Sequence, residues 1–348
     1  MKVNTFQKAG LIVAALCLAG SAAAQQVDIH PDGTTVFPQV DFPPSPLMSK
    51  EGNASRVEHI LTERSLKGKS TDAVNAALFG PWLARTKAAY DVAIRSDTIG
   101  GVHVLVYEPR GGIDAAKRNR VLINLHGGGF VGCFTECGGL ESIPIAALTG
   151  LRVISVDYRE FPQAKFPAAS EDVAAVYRQL LASFKPEGIG IFGCSAGGLL
   201  TSQSLAWFHA HELPEPGAAG VFCAGGDARF SGDSRIIGMI LGDGERPAAV
   251  GGSDSGYMGG ANLDDPTASP AGDPDTLRSF PPTLIITGSR DFAMSDAIDL
   301  DRRLSQLDVD SELHVWDGGR HAFFYDERVP ESQEAYRTIA RFFLAHLR

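Results

Sequence analysis

Apolar residues recur at every third or fourth position from about residue 47 to residue 92, the spacing of helices with one buried stripe. Beyond that point the period changes. Short apolar runs begin at 102 (VHVLVYEP), 120 (RVLINLHG), 151 (LRVISVDY), 188 (GIGIFG), 220 (GVFCAGG), 283 (TLIITGSRD) and 312 (ELHVWDGG). Several are apolar throughout instead of alternating, as strands covered on both faces are. Helical spacing returns between them near 168–184, 196–210, 294–307 and 331–347. Strand–helix alternation of this kind predicts an α/β fold with a mostly parallel central sheet flanked by helices.

Two stretches depart from this rhythm. Residues 25–46 are proline-rich without a period and read as an extended lead-in. Residues 227–279, rich in Gly, Asp, Pro and Ser, interrupt the alternation where a strand should hand over to a helix. Open α/β sheets bind ligands at the carboxyl ends of their strands, and the insertion leaves from such an end, so it reads as a lid in preference to a plain surface excursion.

The N-terminus carries Lys2 and Lys8, an apolar run from Leu11 to Ala19, and Ala22-Ala23-Ala24. That pattern is a secretory signal peptide cut after Ala24, and the run is too short for a stable membrane span. The expectation is an exported protein, periplasmic or extracellular. Removal of residues 1–24 leaves Cys133, Cys137, Cys194 and Cys223. An oxidising compartment permits disulfides, and Cys133 and Cys137 are near enough to pair if their segment turns. The alternative is four small buried thiols. The chain of 348 residues, 44% hydrophobic and 21% charged, is of ordinary globular composition, and its net charge of −10 argues against nucleic acid as a partner. No Cys/His spacing suggests a zinc site.

Candidate chemistry gathers at the ends of the apolar runs. Ser195 lies in GIGIFGCSAGG, between a strand and a helix, with Gly193 and Gly197 two residues to either side. A nucleophile held on a strained strand-to-helix turn needs small neighbours at those two positions. Upstream, His126-Gly127-Gly128-Gly129 follows a strand, and such glycines let backbone N–H groups face a ligand. With the N–H of Ala196 they form a candidate oxyanion hole. His126 is assigned to bracing this loop through its ring.

A serine nucleophile needs a base and an orienting acid, which follow it in that fold type in the order Ser, acid, His. Asp291 sits just past the 283 run and His321 just past the 312 run. A lone Asp there is most often a turn or helix-cap residue, and Asp296 and His314 are rivals. His314 lies within its strand and not beyond its end, which favours His321.

The segments HGGGF (126–130), DYREFPQAKFPAASED (157–172), GCSAGG (193–198), PPTLIITGSRD (281–291) and GGRHAFF (318–324) together resemble the hormone-sensitive lipase-like branch of the α/β-hydrolases. The resemblance runs from about residue 100 to the C-terminus. It implies an α/β-hydrolase fold and hydrolysis of small-molecule carboxylic esters by Ser195, Asp291 and His321, with no cofactor or metal. It implies an oxyanion hole from Gly128, Gly129 and Ala196. It also implies three parts: the leader 1–24, an extension with cap helices over 25–100, and a catalytic domain over 101–348 with the cap insertion at about 227–279. Three residues depart from the pattern. Cys194 stands where the branch usually has Asp, Gln163 where it usually has Glu, and Phe292 where Pro tends to follow the acid. The competing readings are a non-catalytic ligand-binding protein on the same scaffold and an amide or peptide hydrolase of the same fold.

Overall fold

The structure, a computed structural model, describes residues 27–37, 39–245 and 256–348. The expected leader and part of the insertion lie outside the described residues. Two units separate by their internal contacts, 1–43 and 44–348. In the first, β1 (Asp28–Ile29) and β2 (Thr35–Val36) form a small antiparallel hairpin.

The second unit holds an eight-stranded sheet. Its strands are β3 (Val92–Ile99), β4 (Val102–Pro109), β5 (Val121–Leu125), β6 (Arg152–Val156), β7 (Ile189–Cys194), β8 (Ala218–Phe222), β9 (Thr283–Arg290) and β10 (Ser311–Arg320). They lie in the order β10-β9-β8-β7-β5-β6-β4-β3, parallel from β10 through β6 and antiparallel for β4 and β3. Seven of the eight coincide with the apolar runs. The eighth, β3, is an edge strand whose polar, solvent-facing sequence VAIRSDTI carries little apolar signal. It pairs with β4 across the Gly100-Gly101 turn.

Strand alternation divides the core between the two faces of the sheet. Ile123, Ile191, Val221 and Ile285 point to one side, against α4 (Ala168–Leu181), α5 (Ala196–Ala210) and α8 (Met294–Gln306). Leu122, Phe192, Phe222 and Leu284 point to the other, against α3 (Phe134–Thr149) and α9 (Pro330–His346). Each of these aliphatic side chains is fully buried, so truncating one to Ala costs about 2–5 kcal/mol.

Before the sheet come α1 (Lys50–Ser65) and α2 (Thr71–Ala89), in the stretch with helical spacing. Ser49 caps α1 by accepting the Gly52 N–H at 2.9 Å. Arg56 and Arg64 of α1 reach into the insertion, donating to the carbonyls of Leu241 (2.7 Å) and Gly244 (2.8 Å). The described part of the insertion contains α6 (Ser234–Gly238), a π-turn over Met239–Asp243 and α7 (Pro274–Arg278).

Helix α3 was not apparent from spacing. It contains Gly138, Gly139 and Pro144, which weaken helical propensity. The two glycines answer to packing: a Cβ at 138 would fall 2.6 Å from Ser155 Oγ, and one at 139 would fall 2.6 Å from Leu83. Close approach of α3 to the sheet and to α2 outweighs local propensity here.

Candidate active site

Ser195 sits where β7 turns into α5, with φ 59° and ψ −122°. That left-handed backbone is strained for any residue with a side chain, and it projects Oγ off the end of the sheet. Gly193 and Gly197 make the turn possible. A Cβ at either would lie within about 2.2 Å of the Leu125 carbonyl oxygen (2.2 Å and 1.8 Å). The Ser195 N–H is anchored to the Phe222 carbonyl at 2.8 Å.

The strand ends bring Asp291 and His321 to this serine. His321 Nε2 lies 2.7 Å from Ser195 Oγ, and His321 Nδ1 lies 2.7 Å from Asp291 Oδ1. The carboxylate is completely buried and also accepts from the Thr287 hydroxyl (3.0 Å) and the Ala293 N–H (2.9 Å). Burial alone would push the Asp291 carboxyl up, but the imidazole of His321, the Ala293 N–H and the Cys223 thiol hold it below its usual value. An ionised Asp291 keeps the His321 proton on Nδ1 and leaves Nε2 free to accept from the serine. The two rivals lie elsewhere. Asp296 is buried facing the Asp227 N–H, and His314 faces Glu312.

The glycine loop divides into two roles. Gly129 lines the same cavity as Ser195 and Ala196. Gly128 and Gly129 both have positive φ, at 123° and 65°. The N–H of Ala196, at the first turn of α5, has no partner within the helix and is available to an anion. Gly127, expected among the oxyanion donors, is not one. Its N–H donates to Glu141 Oε1 at 2.9 Å and is turned into the protein. His126 braces the loop as expected: its Nδ1 bonds the Gly127 carbonyl at 2.7 Å, and its ring stacks on Tyr158.

The cavity beside Ser195 measures ≈ 510 Å³, within the range of small-molecule sites. Its walls are mostly apolar, with Phe130 and Leu199 on the sheet side and Phe230, Tyr257 and Met258 from the insertion. Helices α1 and α2 contribute no wall residue; α1 meets the insertion through Arg56 and Arg64.

Four neighbours of the site were given no role from sequence, although Phe292 was noted there as a departure from the pattern. Phe292 stacks on His321, with ring centroids 4.2 Å apart. The Cys223 sulfur, Asp291 and His321 present their polar atoms within 4.8 Å of one another, and Cys223 Sγ accepts the Ala322 N–H. Glu141 and Tyr325 are bonded to each other beneath the glycine loop. Of the other three, Glu141 had a legible signal, a carboxylate within the apolar stretch LESIPIAAL. Cys133 and Cys137 form a disulfide at the start of α3, whereas Cys194 and Cys223 are free and buried. Burial pushes both thiols up. Gln163 is exposed at the surface.

A mostly parallel sheet, a nucleophile-type elbow and an acid–histidine pair on the last two strand ends define an α/β-hydrolase. Comparison with known proteins agrees. The profile of the α/β hydrolase fold matches residues 122–325. An acetyl-hydrolase of Streptomyces hygroscopicus is 30% identical over 237 residues, covering 66% of this chain and 76% of that protein. The crystal structure of an esterase, E25, superposes with a TM-score of 0.78 at 28% identity, covering 91% of this chain and all of the other (100%). An esterase from the bacterial hormone-sensitive lipase family gives 0.73 at 28% identity, covering 85% and 99%. The chain belongs to the α/β hydrolase fold family, in its hormone-sensitive lipase-like branch.

Proposed function

We propose that the protein is an exported serine esterase that cleaves small carboxylic esters through an acyl-enzyme on Ser195. The observation that carries this reading is the unbroken relay from Ser195 through His321 to Asp291, both links at 2.7 Å. His321 Nε2 takes the serine proton as Oγ attacks the ester carbonyl. The negative charge that develops on the carbonyl oxygen is received by the N–H groups of Gly128, Gly129 and Ala196. His321 then passes its proton to the departing alcohol. A water molecule, deprotonated by the same imidazole, releases the acid and restores the serine. Throughout, Asp291 stabilises the imidazolium and keeps its tautomer.

A mostly apolar cavity and a relative named acetyl-hydrolase favour short acyl groups. Export is supported by the leader pattern ending at Ala24 and by a disulfide, which an oxidising compartment preserves. Among the described residues no helix is long and apolar enough to cross a membrane.

The test is a series of p-nitrophenyl esters, acetate through decanoate, given to the wild type and to Ser195→Ala. Turnover should be highest for the short chains and should fall about 10⁴-fold or more in the variant. Undiminished turnover by Ser195→Ala, or none by the wild type on any ester, overturns the reading.

A further inference from the structure

Glu141 is a carboxylate in the wrong kind of place for an acid. It lies on α3, 1% exposed, between two core faces. All its hydrogen-bond donors are neutral. Oε1 accepts the Gly127 N–H at 2.9 Å and the Tyr325 hydroxyl, and Oε2 accepts the Asn124 amide at 2.7 Å. Asn124 in turn accepts from Ser155, so this side of the carboxylate is also held in one orientation. Burying a carboxylate without a cation is costly, and four directed donors, the Cys194 N–H among them, only partly offset that cost. Retaining such a group in a core calls for a role that an apolar side chain cannot fill.

Its partners identify the role. Gly127 begins the oxyanion loop, and Cys194 immediately precedes the nucleophile. A Cβ on Gly127 would stand 2.9 Å from the Tyr325 hydroxyl, 3.1 Å from the Cys194 carbonyl and 3.5 Å from Glu141 Oε1. The loop, the elbow strand, Tyr325 four residues beyond His321 and Glu141 therefore meet within one small volume. Position 194, where the resembled branch carries Asp, here has a thiol. A carboxylate nevertheless reaches the end of β7, delivered from α3.

We infer that Glu141 is the positioning residue of the oxyanion hole: by holding the Gly127 amide and the Tyr325 hydroxyl, it fixes the turn that aims the Gly128 and Gly129 N–H groups at the reacting carbonyl. The inference rests on the Ser195 reading given above. Gly127 gives up its own N–H to this anchor, and the next two residues keep theirs for the substrate. Such donors stabilise a transition state only if they stand in place before charge develops, so a loose anchor lowers turnover more than binding.

Burial pushes the Glu141 carboxyl up, against the pull of Tyr325, Gly127, Asn124 and the Cys194 N–H, to about 7. The titratable groups around it are Cys194 and the tyrosines Tyr107, Tyr158, Tyr325 and Tyr336, which burial pushes up in every case and keeps neutral. The anchor's ionisation thus falls near neutral pH, among groups that burial keeps uncharged.

The experiment compares full-length wild type, Glu141→Ala, Glu141→Gln, Tyr325→Phe and Ser195→Ala on p-nitrophenyl acetate from pH 5 to pH 9. Glu141→Ala should lose about 10- to 100-fold in kcat with KM within threefold, since removing one oxyanion donor outright costs about 10²–10³. Glu141→Gln keeps an acceptor oxygen toward Gly127, so it should retain most of that activity. Its pH profile should also lack one of the ionisations on the acid side of the wild-type profile. Tyr325→Phe should fall between the two and carries the test with Glu141→Gln if the alanine variant does not fold, as judged by circular dichroism. Wild-type kcat in folded Glu141→Ala or in Tyr325→Phe, or an unaltered pH profile in Glu141→Gln, overturns the inference. Wild-type turnover in Ser195→Ala overturns the esterase reading instead, so the two failures are separable.

Discussion

Phe292 lies against the imidazole of His321, its ring centroid 4.2 Å away and its plane tilted by 25°. It directly follows Asp291, so the acid and the ring that packs on the base come from adjacent residues of one strand end. The stack restrains the imidazole from a direction that the Asp291 hydrogen bond does not cover. In the proposed mechanism its π face also meets the imidazolium that forms as Ser195 loses its proton.

Phe292→Ala should therefore reduce kcat/KM for p-nitrophenyl acetate about 2- to 10-fold, the equivalent of one aromatic contact of roughly 0.5–1.5 kcal/mol. Phe292→Tyr, which keeps the ring face, should lose less. Equal rates for alanine, tyrosine and wild type would show that the stack contributes nothing to turnover.

Asp291→Asn tests the acid. An amide at this position offers an N–H to His321, which drives the imidazole proton from Nδ1 to Nε2 and removes the acceptor that Ser195 requires. Turnover should fall about 10⁴-fold while the thermal midpoint stays close to wild type. Asp296→Asn, whose carboxylate accepts the Asp227 N–H and makes no bond to the imidazole, should leave the rate within a few-fold. A rate loss greater for Asp296→Asn than for Asp291→Asn would reverse the assignment.

Thiol counting tests the cysteine chemistry and the expected export together. Cys194 and Cys223 are fully buried and held protonated, so the native protein should not react with a thiol-specific disulfide reagent. After denaturation without reductant, two thiols should appear in protein recovered outside the cytoplasm. Three should appear if Cys17 is retained with residues 1–24. Four or more would mean that the Cys133–Cys137 bond is absent.

Glu215 offers a pH-dependent stability change away from the site. Burial pushes its carboxyl up to about 8, and its Oε2 has no hydrogen-bond partner among the described residues. The folded state holds this proton more tightly than the unfolded chain does. Below about pH 4.5 both states are protonated and no penalty arises; between 4.5 and 8 folding stability falls as pH rises. Glu215→Gln should match wild type at pH 4 and exceed it at pH 9 by up to roughly 5 kcal/mol. Urea melts at the two pH values provide the measurement, and an advantage for the variant at pH 4 alone would contradict the sign.

Much of the fold and the centre of the site were legible in sequence because both rest on local rules. Continuous apolar runs predicted seven strands, since a buried parallel strand must be apolar on both faces. Gly193 and Gly197 marked the elbow at Ser195, and the order of Ser195, Asp291 and His321 at the ends of β7, β9 and β10 placed them on one edge of one sheet. Edge strand β3 escaped because half its surface meets water, and α3 because its glycines serve close packing at the expense of propensity. What only the tertiary structure decided depends on residues distant in the chain meeting in a crowded interior. The Gly127 N–H turned inward because Glu141, on another element, offers an acceptor there. Cys133 paired with Cys137 because the start of α3 turns, while Cys194 and Cys223 remained thiols. No periodicity encodes such partners: a side chain's spacing shows which face it occupies, and the packing of the opposite elements determines what it meets there.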